Sequence, residues 1–396
     1  MQKLVLAYSG GLDTSYCVKY LSGKGYEVHT ASVNTGGFKT SDIELLKEKA
    51  LHLGAASYKN IEAVETFYNQ AVKYLIFGNV LKNNTYPLSV SAERIVQAIE
   101  IIKYAVEIGA NAIAHGSTGA GNDQVRFDMI FQTIAPEIEI ITPIRDQQLS
   151  REEEIEFLKG HGIEMNWDKA KYSVNQGLWG TSVGGAETLT SHLGLPEEAF
   201  PSQLTKKEPK QVKLSFKKGE LVAINDEKNT PSENIIKLND LASAYAIGRD
   251  IHTGDTIIGI KGRVGFEAAA PMLIIKAHHA LEKHVLTKWQ LHHKEQLGNW
   301  YGMLLHEGQY LDEVMRNIEV FLTDTQKRVS GDVFVTLYPY RFVIEGIKSD
   351  HDLMNASFGN YGEMNKAWSA QDAKGFIKIL SNQNKIYNHV NKITHD

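Results

Sequence analysis

Ala7-Tyr8-Ser9-Gly10-Gly11-Leu12-Asp13-Thr14-Ser15 is the stretch on which the reading of this chain turns. It follows Lys3-Leu4-Val5-Leu6, a short apolar run suited to a buried strand, and leads into a helical pattern from about Thr14 to Leu21. The two glycines let backbone amides face an anion without side-chain obstruction. The first amides of the helix point the same way, and Ser9, Thr14 and Ser15 add hydroxyls. Asp13 repels a phosphate unless a cation such as Mg2+ lies between them. No Gly-Lys-Ser/Thr follows, so this is not a Walker loop. A serine-capped helix start would explain Ser-Gly-Gly alone. The complete order of strand, Ser-Gly-Gly-x-Asp-Thr-Ser and helix favours an anion site.

Outward from this stretch, strand and helix signals alternate as far as about residue 160. Strands are expected at Glu27–Val33, Ser57–Ile61, Ala112–His115 and Glu137–Thr142. Helices are expected from Ser41 to Leu53, Glu62 to Phe77, Ser91 to Glu107 and Asp123 to Phe131, and after the capping box Ser150-Arg151-Glu152-Glu153. Alternation of this kind gives parallel strands with right-handed crossovers, hence an α/β, doubly wound parallel sheet. Ligands bind such sheets at the carboxyl ends of the strands, where the glycine-rich stretches after Tyr8 and His115 fall.

The pattern changes after Gly162. Residues 170–185 read as a working loop rich in Gly, Ser, Asn and Trp, with Trp167 and Trp179 on either side of Ser173 as packing residues. A hairpin over Val212–Ile224, helices at Asn234–Ile247, Pro271–His293 and Asp312–Thr325, and a strand pair at Val333–Leu337 and Arg341–Ile344 make this second part α+β. Ser369–Asn391 reads as one terminal helix that packs on another subunit. The expected division is 1–165, 166–362 and 363–396.

The formal charge of −5 argues against a nucleic-acid protein. Cys17 is the sole cysteine, which fits a reducing, cytoplasmic setting, and its place in the first helix suits burial. No apolar run is long enough to span a membrane. His278, His279, His284, His292 and His293 lack the spacing a metal site needs.

A second glycine-rich stretch is His115-Gly116-Ser117-Thr118-Gly119-Ala120-Gly121-Asn122-Asp123-Gln124-Val125-Arg126-Phe127. Asn122 and Arg126 are four apart at a helix start and share a face. Arg126 can clamp a carboxylate through two parallel bonds, and Asp123 can accept from an ammonium group. Together these groups suit an amino-acid zwitterion.

The first stretch resembles the PP-loop of the N-type ATP pyrophosphatases, which form adenylated intermediates and release pyrophosphate. The two stretches together resemble argininosuccinate synthase. That resemblance implies an adenine nucleotide alpha-hydrolase-like first domain, a synthetase domain and a homotetramer. It implies that ATP adenylates the ureido oxygen of L-citrulline and that the amine of L-aspartate then displaces AMP. By resemblance Ala7, Tyr8, Ser9, Gly10, Gly11, Leu12, Asp13, Thr14, Ser15, Val33 and Gly116 hold ATP with its Mg2+. Thr118, Asn122 and Asp123 hold aspartate. Tyr86, Ser91, Asn122, Arg126, Ser173 and Ser182 hold citrulline, and Asp13, Ser9 and Arg126 carry the catalysis.

The chain departs from the family at several points. Ala120 stands where a lysine is usual, and Ala92-Glu93-Arg94 replaces Ala-Arg-Pro. Gly254 and Phe266 stand where citrulline usually meets a glutamate and a tyrosine. Two rival readings stay open at this point: another PP-loop ligase, such as a tRNA-modifying or amide-forming one, and a nucleotide-binding relative without catalysis.

Overall fold

The computed structural model describes residues 1–163, 171–355, 361–363 and 367–394. Trp167 lies outside them.

Among the described residues the strands make three sheets. The first holds β1 (Lys3–Ala7), β2 (Glu27–Asn34), β3 (Ser57–Glu62), β4 (Ala112–Ala114) and β5 (Glu139–Ile141), all parallel, in the order β3-β2-β1-β4-β5. Both faces are covered, as parallel sheets require. Leu4 and Leu6 pack into one core with Cys17, Val18 and Leu21, while Val5 and Ala7 pack into the other with Ile95 and Ile99. Chain direction across the sheet reverses at β1 and β4, so the loops after these strands open side by side at a topological switch point.

Two further sheets come from the second half of the chain. One runs β11-β12-β7-β6, built from β6 (Ser173–Gly177), β7 (Gly180–Gly184), β11 (Arg249–Asp255) and β12 (Lys261–Glu267). The other runs β10-β9-β8-β13-β14, built from β8 (Lys210–Lys217), β9 (Glu220–Ile224), β10 (Glu227–Lys228), β13 (Gly331–Tyr338) and β14 (Arg341–Lys348).

Several expectations are corrected. The stretch read as a loop folds as the β6–β7 hairpin, pinned by Trp179, which is fully buried and donates Nε1–H to the Pro87 carbonyl at 2.9 Å. Strands β11 and β12 were not foreseen, because Thr253-Gly254-Asp255 and Lys261-Gly262-Arg263 carry too few apolar residues to read as strands. The expected helix Pro271–His293 is two helices, Ala269–Val285 and Lys288–His306. The break falls where Thr287 and Gln290 cap the second helix reciprocally, with the Gln290 side chain 3.0 Å from the Thr287 amide. The helix expected from Ser91 starts at Ser89, just after Leu88, which sits in the left-handed region at φ 63.

Residues 1–351 form one compact unit and 352–396 a second. In the second unit the tail is two helices, Ala370–Leu380 and Asn382–Val390, not one. Phe376, Ile379, Ile386 and Val390 are exposed on them.

Candidate active site

The loop after β1 packs directly on the loop after β4. A Cβ added at Gly116 would lie 3.2 Å from the Asp13 Cβ, so any side chain there would push the two loops apart by a few tenths of an ångström. Gly10 is at φ +74, and a Cβ there would run into the Leu46 side chain. The Gly10 carbonyl accepts from Lys49 Nζ, which keeps the turn in place. Ser9 Oγ lies 3.3 Å from Thr14 Oγ1 and 3.4 Å from the Gly11 amide. Ser15 Oγ donates back to the Gly11 carbonyl at 2.7 Å. Gly11 is the N-cap of the helix Leu12–Gly23, and no side chain caps that end. The first amides of this helix are therefore free for an anion, as the sequence suggests.

Asp13 lies in the first turn of that helix, against Glu154 of the helix Arg151–Gly160. Glu154 is buried and its Oε2 has no hydrogen-bond partner. Burial, then the charge and hydrogen bond of Asp13, push the Glu154 carboxyl up to about 8. Glu154 thus keeps its proton at neutral pH, beside Asp13.

Both loops open into a cavity of about 870 Å³. Ala7, Tyr8, Ser9, Gly11, Asp13, Thr14, Val33, Gly116, Thr118, Asn122 and Asp123 line it, together with Tyr86, Ser91, Arg126 and Ser182. Gly10, Leu12 and Ser15 support the loop from behind. Ser173 is exposed at the start of β6, paired with Gly184, and is not part of the lining.

The second loop is braced from below. Ser117 N donates to His115 Nδ1 at 3.2 Å, which leaves the proton on Nε2, 2.8 Å from Asp128 Oδ1. Asp128 in turn accepts from Arg145 at 2.7 Å. Gln124 Nε2 donates to the Gly119 carbonyl at 2.6 Å, and the Ile257 amide donates to Asn122 Oδ1 at 2.8 Å.

Arg126 is more occupied than the open fork expected of it. Its Nε and Nη2 donate to the His306 carbonyl, Nη2 also donates to Ser91 Oγ at 3.0 Å, and Nη1 donates to Asp123 Oδ1 at 2.9 Å. Arg94 takes the other oxygen of Asp123 at 3.1 Å. Burial raises the Asp123 pKa, but the charges of Arg94 and then Arg126 outweigh it and hold the carboxyl below its ordinary value. Asp123 is thus a shared anchor of two guanidiniums, where the sequence suggested a free acceptor.

Sequence reasoning missed Arg94, Gln97, His252 and His306, all of which line the cavity. Val90, Arg94, Gln97 and Ile101 recur at helical spacing along Ser89–Glu107, so this wall had a periodic signal. His306 had none, being joined to Arg126 only by the fold. Burial first, then Arg126 and Lys82, push the His306 imidazole down to about 3 against the Asp255 carbonyl, so it is neutral.

Two family models match nearly all of this chain. Residues 3–164 match the Arginosuccinate synthase N-terminal HUP domain, and residues 172–387 match the Arginosuccinate synthase C-terminal domain. Argininosuccinate synthase of Methanocaldococcus jannaschii is 38% identical, with 97% of each chain covered. That of Pyrococcus furiosus is 36% identical, covering 96% of this chain and 93% of the relative. That of Xanthomonas campestris pv. campestris is 35% identical, covering 98% and 99%.

Proposed function

The chain belongs to the argininosuccinate synthase family, and we propose that it ligates L-citrulline to L-aspartate with ATP, releasing AMP and pyrophosphate. The observation that carries this reading is the single cavity into which the uncapped helix start after β1, the Thr118–Asp123 loop and the Ser91–Arg126 wall all open.

The pyrophosphate end of ATP lies against Ser9, Thr14 and the first amides of the helix Leu12–Gly23, with the nucleoside running past Ala7, Val33 and Gly116. The citrulline ureido oxygen attacks the α-phosphorus, the bond to the bridging β-oxygen breaks, and pyrophosphate leaves. The aspartate amine then attacks the activated ureido carbon, the bond to the AMP oxygen breaks, and the amine gives up one proton. Positioning supplies most of the rate, because the first step needs attack in line with the leaving pyrophosphate and the second needs the amine held over the face of the planar activated carbon. Asn122 and Thr118 hold aspartate. Arg126, anchored as described, orients Ser91 toward citrulline beside Tyr86 and Ser182, and fixes Asp123 on the aspartate side.

The donor set at the phosphate end, the Asp13 carboxylate with the Ser9 and Thr14 hydroxyls, is all oxygen and fits a hard cation. Asp13 would hold Mg2+, which when bound offsets the charge leaving on pyrophosphate. Glu154, with its proton kept, lies beside Asp13. A cytoplasmic enzyme, assembled as a homotetramer through the apolar face of the terminal helices, completes the reading.

The test is incubation with ATP, Mg2+, citrulline and aspartate while pyrophosphate and argininosuccinate are followed. Citrulline-dependent pyrophosphate release with matching argininosuccinate is expected. Pyrophosphate release indifferent to citrulline would overturn the proposal.

A further inference from the structure

His252 is a histidine that the mechanism above leaves unused. It lines the cavity and is 6% exposed. Its ring lies on Tyr86, with centroids 5.3 Å apart and planes at 25°. Tyr86 in turn packs against Phe266, centroids 5.4 Å apart. His252 Nδ1 is buried without a partner, and the ring makes no hydrogen bond with any described residue. Nε2 is not sealed in this way, so it is the edge of the ring that a ligand in the cavity can reach.

Position 254 explains where the free edge of the ring lies. His252 and Gly254 point to the same side of β11. A Cβ at Gly254 would sit 2.6 Å from His252 Nε2, closer than real Cβ atoms come. The imidazole and a side chain at 254 therefore compete for one space in the wall, and glycine at 254 lets the ring have it.

We propose that His252 is a specificity-determining residue of this cavity: its Nε2 edge, in the space kept open by Gly254, makes a hydrogen bond to the α-amino-acid head of the substrate held by Arg126 and Ser91. The inference rests on the proposed ligation, with citrulline as that substrate. Tyr86 and Phe266 hold the ring in place and offer the aliphatic part of the substrate an apolar surface.

Steady-state kinetics of the full chain test it, with each substrate varied in turn. His252→Leu should raise the citrulline KM about tenfold, as loss of one buried hydrogen bond implies, and leave the KM for ATP and for aspartate unchanged. His252→Gln, which keeps a polar group near the Nε2 position, should bring the citrulline KM back most of the way. Gly254→Ala should also raise the citrulline KM, and should add nothing in a His252→Ala background. An unchanged citrulline KM in His252→Leu overturns the inference. So does an equal rise in all three KM values, or a His252→Gln variant no better than His252→Leu, since either marks a purely structural role. Wild-type protein without citrulline-dependent pyrophosphate release would overturn the functional reading and this inference with it. Normal wild-type turnover with an indifferent His252→Leu would sink this inference alone.

Discussion

Arg126 donates twice to the carbonyl of His306, from Nε at 3.2 Å and from Nη2 at 3.0 Å. His306 is the last residue of the helix Lys288–His306, so the guanidinium satisfies a carbonyl that has no partner within its own helix. The cation is fixed from behind by a helix end 180 residues away, and its position in the cavity does not depend on a ligand.

Arg126→Lys should therefore act on citrulline far more than on ATP. A lysine cannot reach the His306 carbonyl, Ser91 and Asp123 together. Losing two charge-assisted hydrogen bonds at about 1.5–3 kcal/mol each predicts a rise in citrulline KM of at least about 100-fold. The ATP KM should stay within a few-fold. Kinetics with each substrate varied separately check this, and equal losses for both would count against the assignment.

Asp13→Ala should lower kcat by about 10³-fold or more, the scale expected when a preorganised charge on the leaving group is lost. Folding should survive, because Asp13 is only half-buried in the first turn of a helix, where alanine is well tolerated. Pyrophosphate release and a thermal melt, run side by side, separate the two effects. A mutant with near-normal rate would show that Asp13 holds no cation.

Glu154→Gln makes a pH-dependent prediction. The folded carboxyl is raised from 4.5 to about 8, so the folded state binds the extra proton and stability falls as pH climbs between those values. Below pH 4.5 the side chain is neutral in both states and costs nothing extra. Above about 8 the cost is complete, on the order of a few kcal/mol. Glutamine is always neutral. The variant should melt with wild type at pH 5 and several degrees above it at pH 8.5. A gap that did not widen with pH would show that the carboxyl is not raised.

Gly10→Ala should damage nucleotide binding without touching any ligand-facing side chain. A left-handed residue with a Cβ costs about 1–2 kcal/mol, and here the methyl also meets Leu46. Relief of the strained φ shifts the loop, and the ATP KM should rise at least about tenfold while the citrulline KM holds. Isothermal titration with a non-hydrolysable ATP analogue reads this directly.

The double substitution Ile379→Glu, Val390→Glu should reduce the assembly size measured by light scattering. Both side chains are exposed in the second unit, at 71% and 70%, and a charge there costs more if a partner covers them than if water does. An unchanged mass would remove these helices from the interface.

The parallel sheet and the phosphate loop could be read because their signals are local. Leu4-Val5-Leu6-Ala7, two glycines and a helix start follow one another without interruption. The Asn122–Arg126 pair could be read for the same reason, since helical spacing places both on one face. What could not be read was which atoms those side chains would meet. Asp123 meets Arg94 as well as Arg126, and Arg126 meets His306, through contacts that no spacing rule reports. Strands β11 and β12 escaped because their pairing is by backbone, and backbone hydrogen bonds need no hydrophobic alternation to form. The split at Thr287 was legible and overlooked: Thr-x-x-Gln is itself a helix start, hidden inside a longer apolar pattern.

The sheet β11-β12-β7-β6 makes one wall of the cavity entirely from segments later in the chain than both phosphate-side loops. Its strands hold one another by main-chain bonds, which are indifferent to the side chains that face inward at positions 252, 254 and 264. That separation makes the wall a natural cassette for protein engineering. A library confined to those positions would retune which amino acid is accepted while inheriting the nucleotide chemistry unaltered.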